Sequence, residues 1–312
     1  MKTASFIASF IASAVLLSTS FSFAGGEGWV HDFEAAKKKA AEENKDLIVD
    51  FTGSDWCGWC IKLNKEVFQH DPFKKGVADT YILVELDYPR DKSILDEKTI
   101  QQNEMLKQKY QIQGFPTILI TDAKGRPYAK TGYQKGGPEA YLEHLATLQK
   151  NKAARDAGFT KAKSAKGVDK AIALFEGLKA VPEDYRNQYA GVIDEIKAND
   201  PDDKTGLKAA ENAQNAMMGL ERDLQLAMES ENTEQALSLI DTFVVDQKLE
   251  GEKKQEILMF KLNILFGGKD YDALENAVDE LIAVEPNSKM GKQMTSFKNT
   301  RLKQLKEAVK DE

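Results

Sequence analysis

Short apolar runs with the pattern of strands alternate with helical periodicity through the first 150 residues, and no strand pattern appears in the remainder. Residues 31–44 place Phe33, Ala36 and Ala40 at helical spacing among Lys and Glu. Residues 47–51 (Leu-Ile-Val-Asp-Phe) then read as a buried strand that runs into Thr52-Gly53-Ser54-Asp55, a turn with capping residues. A helix beginning near Cys57 follows, with Leu63, Val67 and Phe68 facing inward. Residues 81–86 are a second strand, and 94–110 read as a helix with Ile94, Ile100, Met105 and Tyr110 as core contacts. Gly114-Phe115-Pro116 opens a third strand over 117–120, Asp122-Ala123-Lys124-Gly125 signals a hairpin, and 128–131 return. Gly136-Gly137-Pro138 starts a helix carrying Tyr141, Leu142, Leu145 and Leu148. This alternation, closed by one hairpin, predicts an α/β fold in which a mixed sheet is flanked by helices on both faces.

From about residue 151 only helical spacing is found. Val168, Ile172, Phe175 and Leu178 share a face, as do Leu207, Ala210, Met217, Leu220, Leu224 and Met228. Further helices are expected over 236–244, 257–266 and 271–282, with a last one carrying Met294, Phe297, Leu302 and Leu305. Pro182, Pro201, Gly251, Gly267-Gly268 and Pro286-Asn287 punctuate them. Leu178-Lys179-Ala180-Val181-Pro182 is weakly like Leu281-Ile282-Ala283-Val284-Glu285-Pro286. Gly268-Lys269-Asp270-Tyr271-Asp272-Ala273 is similar to the start of a tetratricopeptide-type helix, although the full repeat signature is not met. The chain of 312 residues is long enough for about two domains. They are expected over 25–150 (α/β) and 151–312 (an all-α array of helical hairpins).

Charge excludes one class of partner. Lys and Arg number 43 against 50 Asp and Glu, both signs are interspersed, and no basic stripe is present to neutralise phosphates. Nucleic acid is therefore not an expected partner, and the mixed acidic surface favours solubility. At the amino terminus Lys2 precedes an apolar run over 6–17, and Ser22-Phe23-Ala24 supplies the small residues that a signal peptidase requires. A signal peptide over 1–24, cleaved after Ala24, predicts export to a periplasm or the extracellular space. The run is short for a bilayer span of ~20 residues, and no second stretch looks transmembrane.

An exported chain works in an oxidising space. This one has only two cysteines, Cys57 and Cys60. A disulfide between them closes so small a loop that it restrains little of the unfolded chain, so the pair suggests chemistry rather than scaffolding. Their predicted place at the start of a helix directs orphan N–H groups and the positive end of the helix dipole at the first sulfur, which favours its thiolate. The thiolate is the form that attacks a disulfide, and Cys60 can reach Cys57 across one turn. A metal site would need about four ligands. The only histidines are His31, His70 and His144, at no finger-like spacing, and Ile61 stands where haem attachment would need a histidine.

Ser54-Asp55-Trp56-Cys57-Gly58-Trp59-Cys60, between a strand and a helix, resembles the active-site segment of the thioredoxin family, and Gly114-Phe115-Pro116-Thr117 resembles the family's segment with a cis-proline beside the disulfide. The resemblance covers about residues 28–150. It implies a thioredoxin fold, a nucleophilic Cys57, a resolving Cys60 and a cis bond before Pro116. A turn residue with a trans bond is the plainer reading of Pro116. In the family a buried acid near this strand end moves protons to and from the second cysteine. Asp50 occupies such a place, one residue further from Cys57 than in the common loop, and an ordinary strand-end aspartate is the alternative. Trp56 and Trp59 are either core aromatics or the apolar walls of the site. With Gly58, Phe115 and Thr117 they form the expected substrate-binding set.

The expected function is thiol–disulfide exchange on protein substrates, needing no bound cofactor because the cysteines carry the electrons. The helical half would then bind partners or pair two copies of the chain. The competing expectation is a binding module whose helical array is the working part. Gly58-Trp59 matches neither the Gly-Pro pair of reductases nor the Gly-His or Pro-His pairs of isomerases and oxidases, so the direction of transfer and the redox partner stay open at this point.

Overall fold

The computed structural model describes residues 28–310, so the signal peptide expected over 1–24 lies outside the described residues. Strands β1 (Trp29–Val30), β2 (Asp46–Thr52), β3 (Tyr81–Asp87), β4 (Thr117–Thr121) and β5 (Pro127–Thr131) form one sheet in the order β1-β3-β2-β4-β5. β1 and β2 run parallel to β3, while β4 is antiparallel to β2 and to β5. Every residue of β2 and β3 is buried, as a strand covered on both faces requires.

Helices α1 (Phe33–Glu43), α2 (Gly58–Leu63), α3 (Asp71–Val77), α4 (Glu97–Lys109) and α5 (Gly137–Ala162) accompany the sheet. Asp32 caps α1 by accepting the Ala35 N–H at 3.0 Å, and Asn44 ends it in the left-handed region with φ 53°. One core joins Ile48, Leu83 and Ile120 of the sheet to Leu63, Phe68 and Tyr141. Elsewhere Phe33, Phe51 and Tyr110 meet edge to face, with centroids 6.0–6.1 Å apart. Two expected core contacts do not form, because Met105 is 64% and Ile94 43% exposed. α4 instead turns Asn103 and Leu106 inward, one residue out of phase with the expected stripe.

The first compact unit ends between Thr205 and Gly206, whereas the expected boundary at 150/151 falls inside α5. The reason lies in two charged residues of α5. Lys152 bonds both carboxylate oxygens of Asp46 at 2.8 Å, and Tyr128 donates to the same carboxylate. Arg155, 3% exposed, donates to Asp122 at 3.2 Å and to the Tyr189 hydroxyl at 2.8 Å. α6 (Gly167–Lys179), a 3-10 turn over Glu183–Tyr189 and α7 (Ala190–Asn199) complete this unit. α5 and α6 approach backbone to backbone, since a Cβ on Gly158 would stand 2.5 Å from the Gly177 nitrogen.

The second unit is all helical over its described residues: α8 (Leu207–Glu229), α9 (Thr233–Asp246), α10 (Gly251–Gly267), α11 (Tyr271–Val284), α12 (Lys289–Phe297) and α13 (Lys303–Lys310), with a π-turn over Lys298–Leu302. Consecutive helices from α8 to α12 pack on one another. Leu220, Leu224, Ile240 and Ile257 form one apolar cluster, and Leu258, Leu262, Leu274 and Leu281 form another. None of the described helices is long and apolar enough to cross a membrane.

Candidate active site

β2 ends at Thr52 and the chain turns through Gly53 into the cysteine motif. A Cβ on Gly53 would lie 2.6 Å from the Trp56 ring, so glycine lets that indole fold back over the turn. The Trp56 Nε1–H donates to the Tyr88 carbonyl at 2.8 Å. Asp55 accepts the Arg90 N–H at 3.0 Å and the Asp91 N–H at 3.2 Å, and these bonds hold its carboxyl below the usual range. Ser54 donates its N–H and hydroxyl to Asp87. Three side chains of the turn thus engage the end of β3 and the loop after it, which sets the position of the next residue, Cys57.

Cys57 is the N-cap of α2, and its Sγ accepts the Cys60 N–H at 3.2 Å. The two cysteines are joined by a disulfide, with 6% and 4% of their surfaces exposed. Gly58 and Trp59 are exposed between them, Trp59 at 58%. The Trp59 ring lies 5.2 Å from Tyr133, and the Lys62 ammonium stands about 5 Å from both rings. Trp56 is 38% exposed and meets Phe115 edge-on at 5.7 Å. Both tryptophans are therefore surface groups around the disulfide rather than core.

The Phe115–Pro116 peptide is cis. β4 begins at Thr117, opposite Phe51 of β2, so Pro116 enters the sheet at the end from which the cysteine turn leaves. Thr117, expected as a substrate contact, is instead buried, and its hydroxyl donates to the Gly114 carbonyl of its own turn at 2.8 Å.

Asp50 and Cys60 line one cavity of about 300 Å³ with Thr52, Ser54, Asn64 and Glu85. Asp50 is buried, and its Oδ1 has no hydrogen-bond partner among the described residues. Burial, helped by the Asp87 carboxylate, pushes it up to about 8. Glu85 and Asp87 pair in register with Asp50 and Thr52 on the adjacent strand. Neither acid was among the expected site residues. Their signal was available: two acids two residues apart in an apolar strand point to the same face. Tyr88, Lys107 and Tyr133 had no such local signal.

Residues 33–149 match the family model of a thioredoxin-like domain. Over 118 residues the chain is 34% identical to the disulfide bond reductase DsbH of Chlamydia pneumoniae, a match that covers 38% of this chain and 70% of that protein. The thioredoxin-related protein DsbJ of the same organism is 34% identical over 104 residues, or 33% of this chain and 30% of DsbJ. A solved DsbH oxidoreductase matches at 33% identity over 39% of this chain and 83% of its own, with a TM-score of 0.37. All of these matches cover little more than a third of the chain. With a disulfide at the amino end of α2, a cis-proline at the head of β4 and this kinship, the chain belongs to the thioredoxin-like family.

Proposed function

We propose that this protein is a thiol–disulfide oxidoreductase that acts on protein disulfides outside the cytoplasm, with Cys57 as nucleophile and Cys60 as resolving thiol. The observation that carries the reading is the position of Cys57 as the cap of α2, where its sulfur accepts a helix N–H and is bonded to Cys60. That geometry favours a thiolate on Cys57 once the pair is reduced. The name of DsbH supports the reducing direction. The Cys57 thiolate attacks a substrate disulfide and expels one substrate thiolate. Cys60 then attacks the Cys57 sulfur, the second substrate thiol leaves, and the chain is left with its own disulfide. An external dithiol donor must restore the reduced pair.

Cys60 must lose a proton before it attacks. Asp50 shares its cavity and titrates near neutrality, so it suits the general base that takes that proton, through water if not directly. The apolar amino-terminal run and the small residues before position 25 support the extracytoplasmic location.

The test is covalent trapping. With dithiol present, the full protein should reduce insulin. Cys60→Ala should accumulate mixed disulfides with substrate proteins, and Cys57→Ala should neither reduce nor trap. Equal trapping by both variants would overturn the assigned polarity. No exchange by the wild type would remove the oxidoreductase reading altogether.

A further inference from the structure

The face of the sheet beneath α2 carries two rows of side chains across β1, β3 and β2. The register pairs Trp29 with Leu83 and Leu83 with Ile48, and all three join the core that holds Leu63 and Phe68. Side chains alternate along a strand, so the residues two positions further on point to the same face. They are His31, Glu85 and Asp50, and Glu85 pairs with Asp50 in register. An apolar row is thus followed, toward the cysteines, by a row of three titratable groups.

Glu85 joins the two ends of this row. It is buried and lines the cavity of about 300 Å³ that Asp50 and Cys60 share, and its Oε1 lies 3.9 Å from Nδ1 of His31. The His31 side chain is 22% exposed, so it is the member of the row that meets solvent. Burial holds its ring below the usual histidine range, while the Glu85 backbone and the Asp87 charge act the other way. The ring is therefore neutral and can take a proton near neutral pH. The cavity is roomy enough for water to bridge groups that do not touch. Its exposed lining is Ile61, Lys65 and Gln69: an alkyl group, an ammonium and an amide, none of which takes a proton from a carboxylic acid at neutral pH.

Resting on the oxidoreductase reading, we infer that Glu85 and His31 are the proton exit of the resolving cysteine, carrying to solvent the proton that Asp50 takes from Cys60. The Cys60 S–H bond breaks as its sulfur attacks Cys57, and the proton goes to the Asp50 carboxylate. It moves to the Glu85 carboxylate, then to the neutral His31 ring, and from the imidazolium to water. All three groups end as they began. When an external dithiol reduces the pair again, the row runs backwards and returns a proton to Cys60. Carboxylates on neighbouring strands share a proton readily, because like charges at that range disfavour ionising both.

The experiment follows a single turnover of the full reduced protein with hydroxyethyl disulfide, in dilute buffer at neutral pH. Rapid quenching gives the rates at which the mixed disulfide on Cys57 forms and decays, and each decay rate is divided by the same variant's rate of formation. His31→Ala should lower this ratio by about 10-fold, less than the ~10² expected for losing the base itself. Free imidazole should restore it, since a mobile base can reach Glu85 where the ring is missing. Glu85→Gln should lower the ratio at least as far and stay insensitive to imidazole. The double variant should be no slower than Glu85→Gln alone, as two steps of one route require. Decay at the wild-type rate in His31→Ala, or a loss that imidazole leaves untouched, would overturn the relay and leave the redox reading standing. Should Glu85→Gln not fold, the imidazole response of His31→Ala decides alone. A wild type that forms no mixed disulfide would overturn both.

Discussion

Residues 28–205 enclose Asp46, Asp50, Glu85, Asp87, Asp122, Arg155 and Asp200, whereas the described helices after Gly206 enclose a neutral polar pair, Gln255 and Ser288. A buried charge is costly unless it is paired, so each one in the first unit needs a reason. Asp46 is held by Lys152 and Tyr128, and Asp122 by Arg126 and Arg155. These acids anchor α5 to the sheet. Asp50 has an oxygen without such a partner and lies on the cavity that Cys60 shares. Asp50 thus differs from the acids that hold α5 to the sheet. In the second unit Gln255 donates to the Leu281 and Glu285 carbonyls and accepts from Ser288, a closed network with nothing left to react.

The largest effect should come from cutting the chain. A chain ending at Thr205 should keep the unfolding midpoint of the first unit and its exchange with hydroxyethyl disulfide. A chain ending at residue 150 loses Lys152, Arg155 and Tyr189 together. Breaking one buried ion pair costs about 3–5 kcal/mol, so this shorter chain should unfold at far lower urea or not fold. Equal midpoints for the two chains would show that the segment 151–205 adds no stability to the sheet.

Asp50→Asn should act next most strongly. The native carboxyl titrates near 8 against an unshifted 3.8, so the folded state binds the proton more tightly than the unfolded chain. The stability it contributes is full below pH 3.8 and is lost as pH rises through about 8, at up to about 1.4 kcal/mol per pH unit inside that window. Asp50→Asn should flatten this slope in urea titrations from pH 4 to 9, and should slow the Cys60 resolving step by about 10²-fold near neutral pH. An unchanged slope would assign Asp50 to the structural acids.

The smallest effect belongs to the second unit. The Ser288 hydroxyl accepts the Gly291 N–H at 2.8 Å and donates to Gln255 at 2.7 Å. Ser288→Ala should cost about 1–2 kcal/mol, seen by thermal unfolding, and leave exchange with hydroxyethyl disulfide unmoved. A loss of exchange on that small substrate would break the distinction between a reactive unit and a helical one.

The cis bond before Pro116 followed from the family resemblance alone, whereas the residues themselves determined the four long strands, the cysteine pair at a helix start and the helical character beyond residue 150. Each rests on a local rule: period 2, period 3.6, or a short motif. β1 escaped because two residues carry no period, and α3 because Pro72 and Gly76 interrupt its seven residues. Tertiary structure alone decided the rest. Nothing local in the sequence ties Lys152 and Arg155 to the acids they meet, and only the sheet brings Asp46 and Asp122 to them. Asp50 became an acid titrating near 8 only when burial and Asp87 surrounded it. Trp56, Tyr88, Lys107 and Phe115 span sixty residues of chain and line one cavity only in the fold. Periodicity records which side of an element is apolar, while a charge, a cavity or a shifted proton depends on what other elements place against it.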